Sequence, residues 1–217
     1  MHQSIQRLKQ NGYTPNVIFD IGAHFGTWTT ACLDIYPTQT YHLFEAIEYE
    51  QLDKFDGVSN INVNRGILLD KEVREVKWYE MRNTGDSMFR EQTAWFDKCQ
   101  VKMRRTSVLD DMIDATELEH VLIKIDCQGA EIPILQGATE IIKKTDIIIL
   151  EIPFFGKYNE GVPSFLEHIQ FMDSIGFIPY DISEIHRLED FTFQIDIMFI
   201  SKNHSLNDQV QKMFLTR

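Results

Sequence analysis

The chain has 217 residues, 43% hydrophobic, 25% charged and 12% aromatic, with 11 Gly and 6 Pro. That is the composition of one folded domain with a sizeable core, and it excludes disordered, fibrous and two-domain readings. With 21 Lys and Arg against 33 Asp and Glu, the net charge is −12 at pH 7, the wrong sign for a protein whose work is neutralising phosphates, so nucleic acid is not expected as a partner.

Cys32, Cys99 and Cys127 stand far apart and outside any Cys-x-x-Cys spacing. They suggest neither a disulfide framework nor a zinc site and fit a reducing compartment. The N-terminal stretch has no signal-peptide character and no run approaches about 18 apolar residues, so the expectation is a cytoplasmic protein without a membrane span.

Short apolar runs alternate with segments of helical period, the pattern of a single α/β domain over residues 1–217 with a mainly parallel sheet. Residues 1–14 carry a short polar helix over 2–10 ended by Gly12. VIFDIGA (17–23) is a buried strand running into a glycine turn. Phe25, Thr29, Cys32, Leu33 and Tyr36 then share a helical face that Pro37 terminates. YHLFEA (41–46) is the second strand, Leu52 and Phe55 mark a second helix, and INVNRGILL (61–69) is the third strand. Between 70 and 103, alternating EVKWYEM, turn-rich RNTGDS and a poorly periodic stretch around Trp95 and Phe96 predict a hairpin insertion. Ser107 and Asp110 read as a capping box for a helix carrying Val108, Leu109, Met112 and Ile113. VLIKID (121–126) is the fourth strand, followed by a helix from Ala130 to Lys143 with Pro133 in its tolerant first turn. DIIILEI (146–152), the most continuous apolar run, is the fifth strand and the expected centre of the sheet. Phe165, Leu166, Ile169, Met172 and Ile175 give a further helix ended by Gly176, and FIPYDI and QIDIMFIS close the chain as an antiparallel pair at the sheet edge.

In an open α/β sheet the ligand lies beyond the carboxyl ends of the strands. Here those ends are polar: the first finishes DIGAHFG, the second in Glu45, the fourth in Asp126. A dinucleotide fingerprint would place glycines where this loop has Gly22, His24 and Thr27, and a histidine in the middle position blocks the approach of a pyrophosphate. An Asp-x-Gly-x-x-x-Gly turn suits a ligand without pyrophosphate, such as S-adenosylmethionine, whose ammonium and carboxylate an acid and turn amides can meet. Glu45 is placed to accept hydrogen bonds from ribose hydroxyls.

The succession VIFDIGAHFG, LFEA, KIDCQGAEIPILQGA and a late QIDIMFI, over residues 17–200, resembles the FkbM family of S-adenosylmethionine-dependent methyltransferases, KIDCQGAE being the most diagnostic part. His24 stands where that family commonly has Asn, and Ala46-Ile47 replaces its Pro after the ribose acid. The resemblance implies the class I methyltransferase fold: a Rossmann-like, seven-stranded, mostly parallel sheet with the last strand antiparallel and helices on both faces. It also implies S-adenosylmethionine as cofactor and a hydroxyl on a sugar, glycan or other natural product as acceptor. It carries Asp20, Gly22, Ala23 and Gly26 to the cofactor loop, Glu45 and Ala46 to the ribose, and Asp126 with Glu131 to the reaction face.

An alcohol acceptor must lose a proton, and Asp126, then Glu131, then His24 are the bases in order of preference. Against these stand plainer readings, Asp126 as a helix N-cap and Glu131 as a first-turn acid. No histidine lies at a metal-binding spacing, so no metal is expected. A non-catalytic S-adenosylmethionine-binding protein of the same fold and a nucleotide-dependent oxidoreductase are the alternatives.

Overall fold

The computed structural model describes residues 2–155 and 158–215. In chain order its strands are β1 (Val17–Ile21), β2 (Thr40–Glu45), β3 (Ile61–Arg65), β4 (Ile67–Leu69), β5 (Glu75–Glu80), β6 (Gln100–Val108), β7 (Val121–Ile125), β8 (Thr145–Pro153), β9 (Phe177–Leu188) and β10 (Phe191–Ser201). The helices are α1 (His2–Gln10), α2 (Thr27–Leu33), α3 (Leu109–Met112), α4 (Glu131–Gln136), α5 (Thr139–Ile142), α6 (Phe165–Ser174) and α7 (Ser205–Leu215). Among the described residues no helix is long and apolar enough to cross a membrane.

Seven strands form the main sheet in the order β3-β2-β1-β7-β8-β10-β9. β1, β2, β3, β7 and β8 are mutually parallel, while β10 runs antiparallel to both β8 and β9. The last strand is antiparallel, as the fold expectation had it, and it is slotted between β8 and the edge strand β9. Every residue of β1 and β7 is buried, as strands covered on both faces must be. Their alternate side chains enter two cores. Val17, Phe19, Ile21, Val121, Ile123 and Ile125 pack toward α4, α5 and α6, whereas Ile18 and Leu122 pack toward α1, α2 and α7. The chain crosses from one side of β1 to the other between β3 and β7, so the sheet reverses its winding between β1 and β7. That is where a crevice opens.

Several sequence readings are corrected. INVNRGILL is two strands: Gly66, at φ 146, breaks the run, leaving β3 in the main sheet while β4 pairs with β6 in a separate three-stranded sheet, β4-β6-β5. The hairpin of the insertion is therefore β5 with β6, continuing to Val108. Ser107 is part of β6, and no side chain caps α3. Asp110 instead accepts from Glu140 N at 2.9 Å, Ile141 N at 3.1 Å and Thr139 Oγ1 at 3.1 Å, capping the first turn of α5.

The helix read from Ala130 to Lys143 breaks at Gly137, where a Cβ would fall 2.2 Å from the Leu69 carbonyl oxygen. α2 stops at Leu33 rather than at Pro37, and Glu50–Phe55 is a 3₁₀ turn. The middle strand is β7, with β8 beside it. α6 starts with a complete capping box from Ser164 and Glu167, a local signal the sequence reading passed over.

Candidate active site

The crevice at the carboxyl ends of β1, β2 and β7 is a cavity lined by Gly22, His24, Glu45, Ala46 and Asp126 of the expected set. Trp78, Asn83, Thr84, Asp86 and Met88 of the insertion cover it. Asp20, Ala23, Gly26 and Glu131 do not line it. Gly26 begins α2 and packs against Phe55, while Ala23 is buried.

Asp20 lies beneath the cavity floor, fully buried, because its position in β1 turns it toward α2. There it accepts a 2.6 Å hydrogen bond from Thr29 Oγ1 and sits 3.8 Å from Lys124 Nζ. Burial raises its pKa, with Lys124 pulling the other way. Lys124, opposite Asp20 in the β1–β7 register, is itself buried and bonds Asp126 Oδ2 at 3.1 Å. Burial works against ionisation of Asp126, yet the Lys124 ammonium and its hydrogen bonds outweigh it and hold the carboxyl below the usual range. Asp126 therefore neutralises a lysine and does not cap a helix: the residue before α4 is Ala130, which has no side-chain cap.

Glu45 is nearly buried. Its Oε2 accepts from His24 N at 2.7 Å and its Oε1 from Ile47 N at 2.9 Å. Burial pushes its pKa up against those bonds. The acid at the end of β2 thus ties the β1 turn to the β2 turn. His24, at φ 48, stacks on Phe25 with ring centroids 3.7 Å apart and meets Tyr49 edge-on at 4.9 Å. Burial lowers its pKa, so the ring is neutral near pH 7, and its Nε2 is buried without a partner. Arg104 donates to the Ala46 carbonyl, pinning the second turn to the insertion.

Glu131 is fully buried behind the loop. Its Oε1 accepts from Cys127 N at 3.0 Å and Gly129 N at 3.2 Å. It shapes the turn that presents Asp126 and Gln128. Glu131→Ala is expected to leave the buried Gly129 N–H and the half-buried Cys127 N–H unpaired and to cost about 1–3 kcal/mol, read as a lower midpoint in urea denaturation. An unchanged midpoint would remove that role.

A second, larger cavity shares Asn83, Thr84, Asp126 and Gln128 with the first. Of its walls, the sequence pointed to Glu151, at the end of the fifth strand and able to face the cleft, but not to Tyr158, His186 or Gln194. Gln128, at φ 53, donates to Glu151 Oε2 at 2.6 Å and Asp126 Oδ1 at 3.2 Å, and Tyr158 donates to its Oε1. Gln194 adds 3.1 Å to Glu151 Oε2 and 2.6 Å to Tyr158 Oη. Burial, then the neighbouring Asp126 and Asp196, push Glu151 well above the ordinary carboxylate range. The only sequence-level signal was Glu151 at a strand end; the other three come from a loop and from β9 and β10. Phe155, Leu188 and Phe191 form an exposed apolar rim, Phe155 stacking on Phe191 at 5.7 Å.

Residues 20–179 match the family model for the methyltransferase FkbM domain. No curated protein matches the sequence. Among solved structures, the chain is similar to the methyltransferase FkbM of Methylobacillus flagellatus, with 16% identity, a TM-score of 0.51, and coverage of 84% of this chain and 43% of that one. It thus spans less than half of that protein's length. It is also similar to the Burkholderia thailandensis 1,6-didemethyltoxoflavin-N1-methyltransferase, solved with its substrate and S-adenosylhomocysteine, at 10% identity and TM-score 0.51, covering 93% and 78% of the two chains. The M. capricolum TrmK bound to S-adenosylhomocysteine gives 12% identity and TM-score 0.51, covering 92% and 68%. Identities this low speak for the fold.

Proposed function

The chain belongs to the FkbM methyltransferase family, and we propose that it moves a methyl group from S-adenosylmethionine to a hydroxyl on a sugar, glycan or other natural product. The observation that carries this reading is the position of Asp126, a carboxylate kept ionised by Lys124 on the shared wall of two adjoining cavities. The cofactor, when bound, supplies an electrophilic methyl on a sulfonium. Its fit to the first cavity rests on this chain's own groups. Glu45 keeps lone pairs for ribose hydroxyls beyond those used by His24 N and Ile47 N. His24 Nε2 and Trp78 Nε1 are buried without partners on residues of the same wall, and such groups favour a polar ligand over an empty cavity.

Methyl transfer asks mainly for alignment of acceptor and methyl. An alcohol adds a proton to be removed, and Asp126 is the group at the junction that accepts it, worth about 10²–10⁴-fold in rate. The aromatic rim of the second cavity suits the apolar face of a sugar ring or a flat natural product. All three cysteines are unpaired, in keeping with a cytoplasmic enzyme.

Incubation with S-adenosylmethionine and a panel of hydroxyl-bearing sugars and aglycones, followed by mass spectrometry, tests the reading. A product heavier by one methylene supports it, and binding of S-adenosylhomocysteine with turnover only on amines or carbon acids overturns the hydroxyl assignment. Glu45→Ala is expected to weaken S-adenosylhomocysteine by about 1.5–3 kcal/mol, since the ribose partner and the tie between the two turns go together. Calorimetric titration reads it, and an unchanged dissociation constant would sink the assignment.

A further inference from the structure

On the α2 side of the sheet the apolar alternation is interrupted by a row of ionisable groups. Asp20 lies in β1, Lys124 in β7, Glu151 in β8 and Asp196 in β10, with Asp126 just past the end of β7. Glu151 and Asp196 are direct cross-strand partners, a placement that repels when both are charged. Lys124 answers for Asp20 and Asp126. For Glu151 and Asp196 the nearest basic group among the described residues is His186 of β9, whose Nε2 lies 3.8 Å from Glu151 Oε1 and 3.5 Å from Asp196 Oδ1.

Asp196 is 1% exposed. Among the described residues neither of its carboxylate oxygens accepts a hydrogen bond of good geometry, and His186 Nε2 meets it only as an ion-pair contact at 3.5 Å. A buried carboxylate left in that state is costly unless something else meets it.

We propose that Glu151, His186 and Asp196 bind a first-row divalent cation of the Mn²⁺, Fe²⁺ or Zn²⁺ class at the floor of the second cavity. One ligand atom from each of the three lies within 4.8 Å of the others. A cation bonded at about 2.1 Å to imidazole and carboxylate holds its ligand atoms about 3–3.4 Å apart, so the distances of 3.5 and 3.8 Å close with small side-chain rotations. One imidazole and two carboxylates select a borderline cation over Ca²⁺, which takes six or more oxygens. Glu151 Oε2 is already fixed by Gln128 and Gln194, which orients the carboxylate as ligands of bound metals are oriented. Glu151 and His186 face the second cavity, so further coordination positions open toward it. The sequence offered no metal spacing because the ligands come from three strands. On the hydroxyl-acceptor reading such a cation would also hold the acceptor oxygen, but cation binding itself does not depend on that reading.

The test uses the full chain, stripped with EDTA and dialysed, and Mn²⁺ alone as probe, followed by the loss of the free-ion paramagnetic resonance signal. One equivalent bound per chain, with a melting temperature that climbs with Mn²⁺ concentration, is the expected result. Asp196→Asn keeps the shape and relieves the buried charge, so it should fold at least as well while weakening Mn²⁺ by tenfold or more, on the order of the loss seen when metal-site contacts are removed. His186→Ala should do the same. No binding to the wild-type chain by Mn²⁺, or by Zn²⁺ in a parallel titration, overturns the proposal, as does an affinity that neither substitution changes. A failure of methyl transfer with Mn²⁺ binding intact would count against the acceptor reading alone.

Discussion

Gly22→Val is expected to abolish binding of S-adenosylhomocysteine, measured by calorimetric titration, in a chain that is also less stable to urea. Gly22 sits at φ 79, in the left-handed region that a β-branched residue avoids. A Cβ there would fall 2.0 Å from the Asp126 carbonyl oxygen and 2.9 Å from its carbonyl carbon. Both are backbone atoms and cannot rotate away. The β1 turn must therefore move off the end of β7, against the bond from Asp126 N to Ile21 O at 3.0 Å and those from Gly22 N and Ala23 N to Phe44 O. That movement pulls Glu45 and Asp126 out of register across the cavity. Gly12→Ala is the control: Gly12 also has a positive φ, 92, but open space where a Cβ would go. It should pay only the backbone cost, about 1–2 kcal/mol, with binding unchanged. If Gly22→Val folds and binds as the parent does, this loop is not the cofactor site.

Asp126→Asn is expected to lower turnover by about 10²–10⁴-fold while changing S-adenosylhomocysteine affinity little. The amide keeps an oxygen to accept from Lys124 Nζ, but it cannot take a proton from an acceptor hydroxyl. The loop should hold, because Glu131 still receives Cys127 N and Gly129 N. Lys124 retains Asp20 at 3.8 Å, and a melting curve with the parent's cooperativity checks that the fold has survived. Single-turnover measurement with product quantified by mass spectrometry separates the chemical step from release. Full turnover with the true acceptor would leave Asp126 as the counter-charge of Lys124 and nothing more. His24, with a neutral ring and a free Nε2 on the same cavity, would then be the base to test.

What could be read from the sequence was local or periodic. The alternation of apolar strands with helices, the glycine turn after Asp20, the acid closing β2 and the KIDCQGAE segment each lie within a few residues of chain. A strand's two-residue period and a glycine's freedom are properties of such short stretches. From them follow the seven-stranded sheet, the cavity at the ends of β1, β2 and β7, and the places of Gly22, His24, Glu45, Ala46 and Asp126 on its wall.

Tertiary structure decided which carboxylates line the first cavity and which serve the fold. Asp20 and Glu131 share motifs with wall residues, yet one points under the floor to Thr29 and the other behind the loop to Cys127 N. Strand parity and the path of the loop set those directions. It also decided where INVNRGILL divides, because β4 has its partner in β6, some forty residues downstream. The second cavity owes most to it. Glu151, His186 and Asp196 meet only because β10 inserts antiparallel between β8 and β9, and pairing between distant strands leaves no spacing in the chain from which it could be read.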